Sequence, residues 1–109
     1  MPERRNTDRR SPYYYLRVFE KGNRCRNGRL LDISPFGLTL ICEEPFKKTA
    51  LYKFQMNLPE SIEDRKQMTF DTQCVWCRED NDPGYWVAGF QLVNISERNR
   101  KTIETLYTS

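Results

Sequence analysis

Apolar and polar residues take turns along most of the chain, which is the period of a strand that buries one face. The cleanest run is Leu51 to Leu58, with Tyr52, Phe54, Met56 and Leu58 directed inward and Lys53, Gln55 and Asn57 outward. Gln67 to Glu79 repeats the pattern and groups Met68, Phe70, Thr72, Cys74 and Trp76. Leu38, Leu40 and Cys42 share a face of a strand over Gly37 to Glu43. Tyr13 to Phe19, Arg24 to Ile33 and Tyr85 to Ile95 complete a set of six, the second with a bulge or tight turn at Asn27-Gly28. Turn-forming residues separate them: Lys21-Gly22-Asn23, Pro45 with Lys47-Lys48, a polar connection from Pro59 to Lys66, and Asn81-Asp82-Pro83-Gly84.

Beyond the last strand the period changes. Ser96 has the character of a helix N-cap, Glu97 falls in the first turn, and Ile103, Leu106 and Tyr107 follow at helical spacing, suited to cover an open end of the sheet. Six short strands and one closing helix predict an all-β fold, a six-stranded antiparallel β-barrel with a C-terminal α-helix. Residues 1–12 carry few apolar groups and end in Ser11-Pro12, so they read as a flexible arm. The expected organisation is one domain: arm 1–12, barrel 13–95, helix 96–109. A chain of 109 residues is long enough for one core and too short for two.

Composition narrows the chemistry. The net charge is +3, from 18 basic and 15 acidic residues, too small for a general nucleic-acid or membrane binder. The basic residues are unevenly placed, however: Arg4, Arg5, Arg9 and Arg10 crowd the first ten positions, which suggests a local anion site. No signal-peptide run and no long apolar stretch is present, so a cytoplasmic protein that does not insert into a membrane is expected. Its four cysteines, Cys25, Cys42, Cys74 and Cys77, should then stay reduced. Histidine is absent, which removes the commonest general base and the commonest metal ligand together.

Two short motifs remain. Arg5-x-x-x-Arg9, preceded by Arg4, is followed some twenty residues later by Asp32-x-Ser34-x-x-Gly37. Alone, the first is a solvated charge run and the second an ordinary Asx-type turn. Their conjunction in this order and strand context resembles the signature pair of PilZ domains, bacterial receptors for cyclic di-GMP. Val75-Trp76, then Gly89-Phe90-Gln91-Leu92 and Asn94-Ile95-Ser96 before the helix, are similar to that family's last strands and tail. Leu92 departs from it where an aromatic is common, and fills the same core role.

The resemblance implies a cyclic di-GMP receptor whose ligand is held by Arg4, Arg5, Arg9, Asp32, Ser34 and Gly37. The residue types suit that ligand. Arg reads the O6/N7 edge of guanine with paired bonds, pairs with phosphate and stacks on purines. A carboxylate at Asp32 suits the N1–H and N2–H donors of guanine, and the Ser34 hydroxyl suits base or phosphate. By strand period Asp32 and Ser34 share a face, and Gly37 leaves room for close approach of ligand or arm. The resemblance further implies an adaptor that signals to an effector protein in motility, biofilm or exopolysaccharide control. In the family it resembles, the position just before the first motif arginine bears on whether one nucleotide or a stacked pair is bound, and Arg4 there implies the stacked pair.

The competing readings are weaker. Cys74-Val75-Trp76-Cys77 is a CxxC, but on a regular strand its thiols point to opposite faces, and with no histidine only two more cysteines could complete a zinc site. A buried Cys74 and a partly exposed Cys77 are expected, with no metal and no cofactor. No nucleophile–base pair or phosphate loop marks an enzyme. Tyr13-Tyr14-Tyr15 on a small barrel admits single-stranded nucleic acid as an alternative ligand, although at most two of the three share a face. A PilZ fold that serves only protein interaction is the other alternative, and DNA is not an expected partner.

Overall fold

Alternating strands close on themselves when enough of them share one apolar interior, and here six do. The structure, a computed structural model, describes residues 16–62 and 65–108. Its strands are β1 (Arg17–Glu20), β2 (Asn23–Ser34), β3 (Gly37–Cys42), β4 (Leu51–Ile62), β5 (Arg65–Glu79) and β6 (Trp86–Val93), followed by helix α1 (Glu97–Tyr107). All neighbouring pairs are antiparallel and the order β1-β2-β3-β6-β5-β4 closes into a barrel.

The predicted inward residues fill the interior. Leu38, Leu40 and Cys42 of β3, Phe54, Met56 and Leu58 of β4, and Met68, Phe70 and Cys74 of β5 are all buried. At the centre, Phe90 packs edge-on against Phe54 and Phe46, with centroids 4.9 and 5.1 Å apart. Phe46 comes from the β3–β4 loop, where no periodicity marks it as a core residue. Burying such a side chain stabilises the fold by about 1.5–3 kcal/mol.

Helix α1 starts where expected. Ser96 accepts a hydrogen bond from the Asn99 amide at 3.1 Å, and Glu97 lies in the first turn. Ile103 and Leu106 join the barrel core, but Tyr107 stays exposed and Thr102 takes the third buried position. Arg65 of β5 donates to Thr102 Oγ1 and Asn99 Oδ1, both at 3.0 Å, and the Asn99 amide group donates to the Thr69 carbonyl at 2.8 Å. These bonds fix the helix to the start of β5.

Four boundaries differ from expectation. Strand β1 begins at Arg17; Tyr13 to Tyr15 lie outside the described residues. The polar connection expected over Pro59 to Lys66 is strand at its described residues: β4 runs to Ile62, β5 starts at Arg65, and these two residues pair. Backbone pairing needs no apolar face, so a polar hairpin can extend beyond the core without leaving an alternation signal. The β1–β2 irregularity falls between Asn23, paired with Glu20, and Asn27, paired with Phe19, while Gly28 sits regularly in its ladder. Finally, β2 and β5 each carry one extra residue, at Leu31 and at Val75.

Candidate functional site

Those two extra residues decide which side chains reach the surface. On an unbroken β2, Leu30 and Asp32 would share a face. Instead Leu30 pairs with Leu40 inside the barrel while Asp32 pairs with Thr39, so Leu31 turns the carboxylate outward. On β5 the same happens after Cys74, which pairs with buried Phe90: Trp76 pairs with Gly89 and emerges on the outer face, 37% exposed. Trp76 therefore does not belong to the core row that alternation assigned it to.

The result is a continuous row across four strands, Asp32–Thr39–Gly89–Trp76, each residue the direct partner of the next. A second row, Ser34–Gly37–Gln91–Gln73, runs beside it. All of the first row, and the second as far as Gln91, line a surface cleft of about 660 Å³ that Arg100 also borders. Asp32 and Ser34 thus share a face, as their spacing predicts.

Ser34 and Gly37 are held by the β2–β3 turn. The Phe36 amide donates to Ser34 Oγ at 3.2 Å, which leaves the hydroxyl proton available to a ligand. The Phe36 carbonyl accepts from the Leu92 amide at 3.0 Å and ties the turn to β6, while the Phe36 ring is 82% exposed. Gly37 also has a task in the barrel itself. A Cβ there would fall on the Phe90 carbonyl oxygen, so the close approach its hydrogen permits is that of β3 to β6. Among the described residues no hydrogen bond or ion pair engages the Asp32 carboxylate. Arg4, Arg5 and Arg9 lie outside the described residues.

At the far end of the first row the Trp76 indole lies over Gly89, where a Cβ would come within 2.9 Å of Cδ1 and closer still to Nε1. The Arg78 guanidinium sits 5.2 Å from the indole centroid, a cation–π distance. Arg100 reaches the cleft from α1, where Glu97 and Glu104 balance its charge. The sequence reading placed Trp76 in the core and gave neither Arg78 nor Gln91 a place in the site. The only available signal was Gly89, a residue without a side chain in the middle of an otherwise bulky strand.

The extra residue at Val75 also corrects the reading of the CxxC. Cys77 pairs with buried Ala88 and packs against the core, so both thiols face inward. Cys74 is buried and Cys77 half-buried, as expected, and the Cys74 thiol donates to the Trp76 carbonyl at 3.4 Å across the bulge. Burial, with the nearby Cys77 second, pushes the Cys74 thiol up from its ordinary value. Among the described residues no group of three or more His, Cys, Asp or Glu is placed to hold a metal ion, and no helix is long and apolar enough to cross a membrane.

The comparisons with known proteins agree with this architecture. The barrel is similar to the structure described as the PilZ domain with c-di-GMP of YcgR from Escherichia coli, at 15% identity and a TM-score of 0.66, over 87% of this chain and 79% of that one. It is equally similar to the Bacillus subtilis inhibitor of motility (MotI/DgrA), at 16% identity and a TM-score of 0.66, over 92% of this chain. The chain spans 50% of that second protein's length. No curated protein matches the sequence. The family model described as PilZ domain matches residues 3–109, almost the whole sequence. The chain belongs to the PilZ domain family.

Proposed function

We propose that this protein is a receptor for cyclic di-GMP, without catalytic activity. The observation that carries the reading is the outward placement of Asp32 beside Ser34 in the lining of the cleft. A carboxylate there, without a partner among the described residues, is suited to the N1–H and N2–H donors of a guanine, and the neighbouring hydroxyl to a phosphate or base acceptor. Arg4, Arg5 and Arg9 supply the charge that two phosphodiesters require, and Arg4 favours two stacked nucleotides over one. Membership of the PilZ family and the likeness to a domain described with c-di-GMP support the same ligand.

Closure of the N-terminal arm over the ligand would create a new surface for an effector protein, so that contacts to the dinucleotide offset the entropy of ordering. A cytosolic adaptor in motility, biofilm or exopolysaccharide control is the corresponding role. Isothermal titration with cyclic di-GMP, with GTP and cyclic di-AMP as controls, tests the ligand. Saturable binding of cyclic di-GMP alone, lost in Arg5→Ala and in Asp32→Ala, is the expected result, with a stoichiometry near two nucleotides per chain. Unchanged affinity in both variants would remove the site assignment, and no binding by the wild type would remove the function.

A further inference from the structure

The row that begins with Asp32 ends in a feature that the arginine and Asp-Ser motifs leave without a task. Adjacent strands lie about 4.8 Å apart, so Asp32 and Trp76, separated by three strand spacings, stand about 14 Å apart at the backbone. The indole leans back over Gly89, which brings it within about two spacings, roughly 10 Å, of the Asp32 column. Between them lie only Thr39 and Gly89, so the floor of the cleft carries no bulky side chain along this row. A purine held at Asp32 cannot reach the indole, whereas a ligand with two bases can engage both.

Trp76 is presented at the surface of the cleft and not in the core. The bulge at Val75 takes it out of the core, at a position where an unbroken strand would have buried it. Gly89 is the one partner in the row that lets an indole lie flat against the sheet, since any Cβ there would strike the ring. Arg78 flanks the ring and adds positive charge at the end of the row opposite the Asp32 carboxylate.

We infer that Trp76, seated on Gly89 and flanked by Arg78, is the stacking platform for the second guanine of the dinucleotide, at the opposite end of the row from Asp32. This assignment rests on the cyclic di-GMP reading and makes the cleft a two-ended site. Asp32 reads the edge of one base, and Trp76 holds the face of the other. Base–aromatic stacking tolerates any purine. Selectivity for guanine over adenine therefore resides at the Asp32 end.

The test is titration of cyclic di-GMP into the wild type, Trp76→Leu and Gly89→Ala, with thermal melts of each as a folding control. The loss of one base–aromatic stack should weaken binding by about 5- to 100-fold in Trp76→Leu. Gly89→Ala, which displaces the indole without removing it, should weaken binding in the same direction. In a Trp86→Phe background, saturating cyclic di-GMP should quench the remaining Trp76 fluorescence, a readout that needs no variant at position 76. Wild-type affinity in both variants, or fluorescence unchanged at saturation, overturns the platform while leaving the receptor reading intact. Failure of the wild type to bind cyclic di-GMP overturns both.

Discussion

Gly37→Ala is the substitution that best separates a contact residue from a residue that shapes the site. A Cβ at this position falls on the Phe90 carbonyl oxygen, and it would also stand 3.2 Å from the Phe90 carbonyl carbon and 3.3 Å from Gln91 Cα. Ordinary contact begins at 3.4 Å, and all three atoms are backbone, so no side chain can rotate away to make room. Strands β3 and β6 must separate locally. Phe90 cannot follow freely, because its ring lies 4.9 Å from Phe54 and 5.1 Å from Phe46 in the centre of the barrel.

Forcing one methyl group into such a contact costs about 1–3 kcal/mol. For a domain near this size that corresponds to a drop in Tm of roughly 5–15 °C. Thermal unfolding followed by circular dichroism reads the shift directly. The displaced β3 also carries the Ser34–Gly37 end of the turn, so affinity for cyclic di-GMP should fall although Gly37 contributes no ligand-binding side chain. A Gly37→Ala protein with wild-type Tm would refute the close approach of β3 to β6. Wild-type Tm with lost binding would instead make Gly37 a direct contact of the ligand.

Other positions give independent checks. Ser96→Ala removes the acceptor of the Asn99 amide and should lower stability by about 1 kcal/mol, measured by urea unfolding. Phe46→Ala should cost about 3–5 kcal/mol in the same assay, even though its loop shows no strand periodicity. The Lys53–Asp71 pair is short at 2.7 Å but both side chains are about half exposed (54% and 47%), so Lys53→Met should change stability by less than about 1 kcal/mol. The Cys74 thiol is pushed up from 9.0 by burial, so the unfolded chain ionises there first. The contribution of this thiol to stability is therefore full below pH 9.0 and is lost as pH rises above it, and urea midpoints across that range should fall less steeply in Cys74→Ala than in the wild type.

The fold was legible because burial and strand period act together: the inward rows read for β3, β4 and β5 match core positions as far as Cys74, and Ser96 marks the helix start by its own capping chemistry. Phe46 was not legible, since a loop residue becomes core only through the tertiary closure of the barrel. The polar β4–β5 hairpin was missed for the opposite reason, pairing without an apolar alternation in its sequence. In the candidate site, the side-by-side placement of Asp32 and Ser34 followed from their spacing, and the role of Gly37 did not, because the backbone that crowds it belongs to a strand some fifty residues later in the chain.

One physical cause links the remaining differences. A period of two assigns faces correctly only until a strand gains a residue, after which every later assignment on that strand is inverted. At Leu31 the inversion puts a carboxylate on the surface where the Leu30 row would have buried it; at Val75 it puts an indole there and turns Cys77 inward. Removing either bulge would place a charge or a large ring in a core already filled by Phe54, Phe70 and Phe90. Burial of an unpaired carboxylate is costly enough that the core itself opposes a register without the bulge at Leu31. The two ends of the Asp32–Trp76 row are thus exposed by one device used twice, and the interior packing of the barrel enforces both.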